Sequence, residues 1–481
     1  MDNSLANKAV KGVRWSFVET FFIYFVKFLI GLILARLLLP ADFGLLALMM
    51  VFMAVSDRLV DAGFGQAYIY RQNVDDKDAD TVFIINSIVS LIIYVLLFLL
   101  APYIASFYGN NSLTLMIRVF SLVIIISSFS VVQNAIVRRN FLFKKRAIIN
   151  LIAASISGIV GIGFAYKGYG VWSLIFQHLL EKILSCIIMY LSLNWKFSFS
   201  FSINSAREMF SYGSWIMVAN VIAVLFNNFY RIIIGKLFTA VELGYYERAK
   251  QFENIIADTF TGIVGKVAFP TFSRVQDNND ELKAVTSSFV KFSSIFVLPM
   301  LACLCVVAHP LINILLTEKW LPAVPYLQLL CCVGFCWPFY YYIPPLFQAV
   351  GKTKLVTYMT GVLCGLRMVN VLILSKYGVS GIIIGELICV ILIIFIASVF
   401  IKRVIRFNYF YVVRASSNII ISTAIVVAVG FLFNSMLREL NDYVQLLVPS
   451  LIMISIYVSI IYVLEKDTII KLAHRFLLKK N

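Results

Sequence analysis

Apolar runs of about twenty residues, divided by short polar joints, follow one another along the whole chain. A run of that length crosses a ~30 Å hydrocarbon core as a helix. About fourteen can be read, near residues 13–38, 43–65, 81–103, 113–134, 147–166, 170–194, 209–237, 244–270, 286–308, 325–349, 355–374, 380–401, 412–434 and 443–464. The pattern predicts an all-α integral membrane protein. The eighth run differs from the rest. Residues 245–270 read YYERAKQFENIIADTFTGIVGKVAFP, and as a helix they place Glu247, Lys250, Gln251, Asn254, Asp258, Thr261 and Gly265 on one face. The other side carries Phe252, Ile255, Ile256, Phe260 and Ile263 and is expected to meet lipid. Each charge facing lipid costs roughly 2.5–3.5 kcal/mol on insertion scales, so the polar stripe is expected to face water or protein. A helix of this kind lines a passage for something polar.

Composition agrees: 61% of residues are hydrophobic and only 14% charged, with mean hydropathy +0.91. The formal charge of +17 is unevenly placed. With a cytoplasmic N-terminus, the cytoplasmic joints hold about 25 Lys and Arg and the opposite joints about five, which predicts both termini in the cytoplasm. The basic residues are spread over every cytoplasmic joint, which excludes a nucleic-acid surface and points to anionic lipid head groups. The start does not read as a cleaved signal: the first apolar run carries Glu19 and Lys27 and lacks a small-residue cleavage site. Residues 3–14 predict a basic amphipathic helix on the inner surface.

No joint exceeds about fifteen residues, so no soluble domain is expected. Cys186, Cys303, Cys305, Cys331, Cys332, Cys336, Cys364 and Cys389 all fall in apolar runs and read as free thiols. No cofactor or metal is expected. GxxxxGK[ST], HExxH and GxSxG are absent from the sequence, so the reading is not an enzyme.

The chain also repeats itself. At an offset of 200 residues Trp15 matches Trp215, Arg36 matches Lys236, Leu37 matches Leu237, Asp42 matches Glu242 and Gly44 matches Gly244. Tyr169-Gly170-Val171 returns as Tyr377-Gly378-Val379. An even number of helices per repeat predicts parallel repeats about an axis along the membrane normal. The expected organisation is a six-helix bundle over 1–200, a second over 201–405, and two further helices with a basic tail over 406–481.

The repeat places Lys27 of the first helix and Arg231 of the seventh on corresponding faces, and two cations there suit an anionic substrate. Arg231 reads either as a phosphate grip or as a structural residue that snorkels toward the outer surface or pairs with Glu242. Arg248 and Lys250 likewise read either as cavity cations or as solvated rim charges. Asn220, Asn227, Gln251, Asn254 and Thr261 are candidate polar lining. Glu253 and Asp258 are candidates for ion or proton coupling, against pairing with Lys250 or Lys266. Asp57, Arg58 and Asp61 read as a local gate or a proton site. Glu181, Lys182, Arg118, Arg367 and Glu386 read as partners between helices, and His178 and His309 as packed or interfacial histidines.

Three stretches carry a family resemblance. ILARLLLPADFGLLAL (33–48), LGYYERAKQFENIIADTFTGIVGKVAFPTFSRVQDN (243–278) and TEKWLPAVPYLQLLCCVGF (317–335) resemble bacterial polysaccharide flippases of the Wzx type, within the MATE-like MOP superfamily. The last is similar to the colanic-acid-exporter branch. The resemblance covers most of residues 1–410 and implies a V-shaped pair of six-helix bundles that alternates access. It implies an oligosaccharide repeat unit on undecaprenyl diphosphate as substrate, moved from the inner to the outer leaflet of the bacterial inner membrane. The family's cationic cavity maps to Lys27, Arg231, Arg248 and Lys250, with Glu247, Glu253 and Asp258 a departure from it. A monomer is expected, with H⁺ or Na⁺ as a coupling ion to be considered.

Three other functions compete. A MATE-type cation or multidrug antiporter on the same fold would favour an acidic cavity, against Lys27 and Arg231. A polysaccharide polymerase or ligase would need a sizeable outer loop. A membrane scaffold leaves the polar stripe without a purpose.

Overall fold

A computed structural model describes residues 22–61, 64–70, 75–193 and 195–465, without the side chains of residues 66, 69, 70, 211, 212, 215, 216 and 258–266. The helix expected over 3–14, Trp15, the Trp215 ring, Asp258, Thr261 and the tail after 465 therefore lie outside the description. Among the described residues every regular element is helical.

The first of two compact units runs to Gly244. It contains α1 (residues 22–37), α2 (Pro40–Asp61), α3 (Phe64–Tyr70), α4 (Asp76–Phe107), α5 (Leu113–Phe120), α6 (Leu122–Arg139), α7 (Phe143–Tyr166), α8 (Val171–Ser192), α9 (Ile203–Asn227) and α10 (Phe229–Leu237). A capping box starts α4: Asp75 accepts from the Asp78 amide at 2.9 Å, and Asp78 accepts from the Asp75 amide at 3.2 Å. α7 and α8 form a hairpin, and α4 lies along α6. Phe64, Tyr68, Val82, Val132, Trp195 and Met209 close one core. α9 packs on α2, α3 and α4, and α10 on α2, which carries this unit past residue 200 to the start of α11 (Ala240–Arg274).

The second unit, from Tyr245, holds the rest of α11, then α12 (Asn279–Val306), α13 (Ala308–Leu316) and a 3₁₀ turn (Glu318–Ala323). The run expected over 325–349 is broken into α14 (Val324–Gly334), α15 (Trp337–Tyr340) and α16 (Ile343–Ala349). Each piece has a proline in its first turn, where the missing N–H is harmless, whereas the same ring inside a helix would break its ladder. α17 (Thr353–Leu374) and α18 (Gly378–Val404) make a second hairpin, followed by α19 (Phe410–Ala415), α20 (Ser417–Met436) and α21 (Asp442–Leu464). The last two dock on α12 through Ile295, Leu298, Ile419, Val426 and Met453. The Tyr457 hydroxyl donates to the Ile295 carbonyl at 2.9 Å, and Lys291 Nζ sits 3.0 Å from Glu465, which also accepts from Asn418.

Ten helices among the described residues are long and apolar enough to cross a membrane, or eleven if α9 and α10, bent by 44°, form one span. The protein is an all-α, multi-pass membrane protein. The difference from fourteen has identifiable sources. α1 is described only from residue 22, α11 is too polar, and Thr353–Val404 counts as one candidate although it contains two helices.

The repeated residues sit at like joints. α2 starts at Pro40 and α11 at Ala240. Before the first, Asp42 accepts from the Leu39 amide at 2.9 Å; before the second, Thr239 accepts from the Glu242 amide at 3.2 Å. A methyl on Gly44 would collide with the Ala240 carbonyl oxygen, and one on Gly244 with the Pro40 carbonyl oxygen. The two glycines are thus the two sides of a single close backbone crossing. The other echo has a backbone cause as well: Gly170 (φ 52°) and Gly378 (φ 79°) both turn left-handed where a hairpin's second helix begins.

Candidate functional site

The polar stripe expected on residues 245–270 lies on a single 35-residue helix, α11. Gln251 is exposed, while Glu247, Lys250 and Asn254 are half-buried. The opposite side is not given over to lipid. Phe252, Ile256 and Ala249 are buried and Ile255 is 48% exposed, while the Phe260 and Ile263 side chains lie outside the description. Of the residues expected to meet lipid, Phe252 and Ile256 are therefore covered by protein instead.

Arg248 departs furthest from an open cavity cation. It is 5% exposed, its guanidinium carbon lies 5.5 Å from the centroid of the fully buried Trp320 ring, and Nη1 donates to Gln251 Oε1. Tyr245 meets the same indole edge-on at 6.1 Å. A cation stacked on a desolvated indole gains about 2 kcal/mol, which helps hold the charge in place. Lys250 is gripped in a similar way. Its Nζ is 2.8 Å from Glu253 Oε2 and 5.0 Å from the Trp337 ring centroid, and Glu253 is fully buried. So the pairing of Glu253 with Lys250, weighed above against a coupling role, is present in the structure.

In the first unit Lys27 Nζ meets Glu181 Oε1 at 2.6 Å, yet 46% of the Lys27 side chain stays open, against 18% for Glu181. Arg231 follows the 44° bend between α9 and α10. Asn228 at that bend donates from Nδ2 to the Val224 carbonyl at 2.8 Å and accepts from Arg231 Nη1 at 2.7 Å. A side chain bonded to the carbonyl four residues back competes with the helix ladder, which accounts for a break here. Arg231 is half-buried, Asn220 is half-buried and Asn227 is exposed.

Several of the other ionisable groups singled out from the sequence have partners within their own unit. Arg367 holds Glu386 in a two-pronged pair, with Nε to Oε2 at 3.1 Å. Arg118 bonds the Phe98 carbonyl and lies over its ring, and His178 packs edge-on against Phe120. Asp61 caps the Gly65 amide. All eight cysteines are free. Among the described residues no three His, Cys, Asp or Glu gather as metal ligands. Sequence reasoning missed the roles of Trp320, Trp337 and Asn228. Trp320 lay in the EKW motif, which was the available signal.

Fold and site together define a multi-pass, all-helical membrane protein that keeps ionisable groups inside its helical units. Residues 33–325, more than half of the chain, match the family of polysaccharide biosynthesis proteins, and the chain belongs to that family. It is 24% identical over 337 residues to the lipopolysaccharide biosynthesis protein WzxC of Escherichia coli K12, covering 69% of this chain and 68% of that one. It is also 24% identical over 337 residues to the teichuronic acid biosynthesis protein TuaB of Bacillus subtilis, covering 69% of each. Among solved structures, the lipid II flippase MurJ in its inward closed conformation shares the fold, with TM-score 0.74 and 18% identity over 94% of this chain and all of that one. The resemblance stated from the three sequence stretches holds.

Proposed function

We propose that the protein is a flippase that moves lipid-linked oligosaccharide repeat units across the membrane for surface polysaccharide biosynthesis. One observation carries the reading: a chain of the polysaccharide biosynthesis family has the fold of a lipid flippase and keeps a polar, charged helix of membrane-crossing length, α11. Such a helix is costly unless it serves a polar cargo.

In this reading the lipid carrier is undecaprenyl diphosphate and the setting is the bacterial cytoplasmic membrane, with both termini cytoplasmic. α1, α2, α4, α5–α6, α7, α8, α9–α10, α11, α12, α14–α16, α17, α18, α20 and α21 make fourteen crossings. They form two six-helix bundles and a C-terminal pair, working by alternating access as a monomer. Lys27 and Arg231 are the principal phosphate-facing cations. Glu181 meets Lys27 and Asn228 meets Arg231, and these contacts help set the position of each cation toward a diphosphate. Arg248 and Lys250 act at closer quarters, through an environment tuned by Trp320 and Trp337. Asn220, Asn227, Gln251, Asn254 and Thr261 line the route. Glu253 or Asp258 couples transport to an ion. A cation antiporter draws less support, since Lys27 and Arg231 would repel a cationic cargo.

The test is complementation of a strain lacking its polysaccharide flippase, with surface glycan and membrane protein level measured together. Restored glycan is expected. Normal accumulation in the membrane without any surface glycan, across several glycan types, would count against the reading.

A further inference from the structure

The segment joining α8 to α9 has a construction that the transport reading does not use. Residues 195–201 lack regular structure and read WKFSFSF, with serines and aromatics alternating. Asp80, fully buried in the second turn of α4, collects the serine side. Its Oδ2 accepts from the Ser198 amide at 3.2 Å, the Ser200 amide at 3.4 Å, Ser198 Oγ at 2.5 Å and Ser200 Oγ at 2.8 Å. Its Oδ1 accepts from Trp195 Nε1 at 3.1 Å, and the next residue, Thr81, accepts from the Ser202 amide at 3.0 Å. Phe199 between the two serines has φ 57°. That left-handed turn is unfavourable for a side-chain residue, and here it lets two amides two residues apart converge on one carboxylate oxygen.

With the polar edge consumed, the aromatic edge is turned outward. Phe197 is the exception, packing on Phe83 at 4.5 Å between ring centroids. Phe199 is 83% exposed, Phe201 45% and Ile203 70%. Lys196 and Arg207, both exposed, stand on either side of this apolar row. The row begins seven residues after the end of α8, a candidate membrane span, and runs into the start of α9, so it must lie near a membrane surface. Large apolar side chains flanked by cations are what the boundary between acyl chains and anionic head groups accepts.

We propose that residues 196–203 are an interfacial membrane anchor. Phe199, Phe201 and Ile203 enter the acyl–head-group boundary of a bilayer containing anionic lipid, Lys196 and Arg207 lie among the head groups, and Asp80 holds the segment in that attitude. The anchor fixes the level at which α9 enters the membrane.

The experiment uses the full chain with benzoylphenylalanine in place of Phe199, reconstituted in vesicles of phosphatidylethanolamine and phosphatidylglycerol and irradiated. The same photoprobe at Leu451, 63% exposed on α21, serves as the lipid-facing control. Lipid adducts are expected at both positions, with phosphatidylglycerol enriched at 199 over its share of the bilayer. Adding Asp80→Ala should lower the adduct yield at 199 several-fold and leave that at 451 unchanged, which also shows that the variant is folded and inserted. No lipid adduct at 199 while 451 reacts overturns the anchor, as does capture of a second protein there. A yield at 199 that ignores Asp80→Ala overturns the role given to Asp80.

Discussion

Gly44→Ala offers a sharp test of the packing, because what blocks the new methyl is the Ala240 carbonyl oxygen and not a side chain that could rotate away. Gly244→Ala meets the Pro40 carbonyl oxygen in the same way. To admit either methyl, α2 and the start of α11 must part by on the order of 1 Å, a sizeable fraction of the scatter in helix spacings. Overpacking a close contact costs about 1–3 kcal/mol, and a backbone obstacle puts each single variant toward the upper part of that range. The same separation accommodates the second methyl, so the double variant should cost about as much as one single. The coupling is then about 1–3 kcal/mol, well beyond the ~0.5 kcal/mol expected of independent sites. Thermal unfolding of purified protein in detergent supplies the measurement, comparing the two single shifts in melting temperature with the double. A double shift equal to the sum would show that the glycines do not share one crossing, and singles without any shift would refute the contact itself.

Lys27→Ala and Arg231→Ala should each reduce surface glycan while the protein accumulates normally, and the double variant should nearly abolish it; full export by the double would move the grip to Arg248 and Lys250. Arg231→Lys separates charge from geometry, with poor rescue expected if two guanidinium nitrogens meet phosphate oxygens together. Glu253→Gln should change the pH profile of transport if Glu253 exchanges a proton, and unchanged profiles in both Glu253→Gln and Asp258→Asn would end the proton reading. In a cysteine-free background, single cysteines at Lys319 and Lys480 should be labelled from opposite sides of the membrane, and labelling of both from outside would refute cytoplasmic termini.

Much of the fold was legible because a bilayer imposes length and polarity on each helix. The runs at 147–166 and 170–194 became the α7–α8 hairpin, and those at 355–374 and 380–401 became α17–α18. The repeat was legible for a backbone reason, since Gly44, Gly244, Gly170 and Gly378 stand where a Cβ or an ordinary φ is not tolerated. Side-chain partnership was harder to read. Lys27 and Glu181 are more than 150 residues apart, as are Lys291 and Glu465, and no local spacing announces either pair. Helical periodicity placed Lys250 on the stripe but could not say that Trp320, from the 3₁₀ turn, and Trp337, from the proline-broken segment, would lie against Arg248 and Lys250. Asn227 was singled out where the neighbouring Asn228 makes the contacts, because the bend rotates the helix face at that point.

The central claim is tested most directly by translocation in vesicles. The purified protein is reconstituted with a polyprenyl-diphosphate-linked oligosaccharide, under imposed proton and sodium gradients, and the glycan exposed outside is read with an impermeant glycosidase. The account predicts that the accessible share rises from the outer-leaflet fraction toward the whole pool, and that Lys27→Ala with Arg231→Ala slows the rise. Accessibility that stays at the protein-free level in every gradient, with correctly inserted protein, would contradict it.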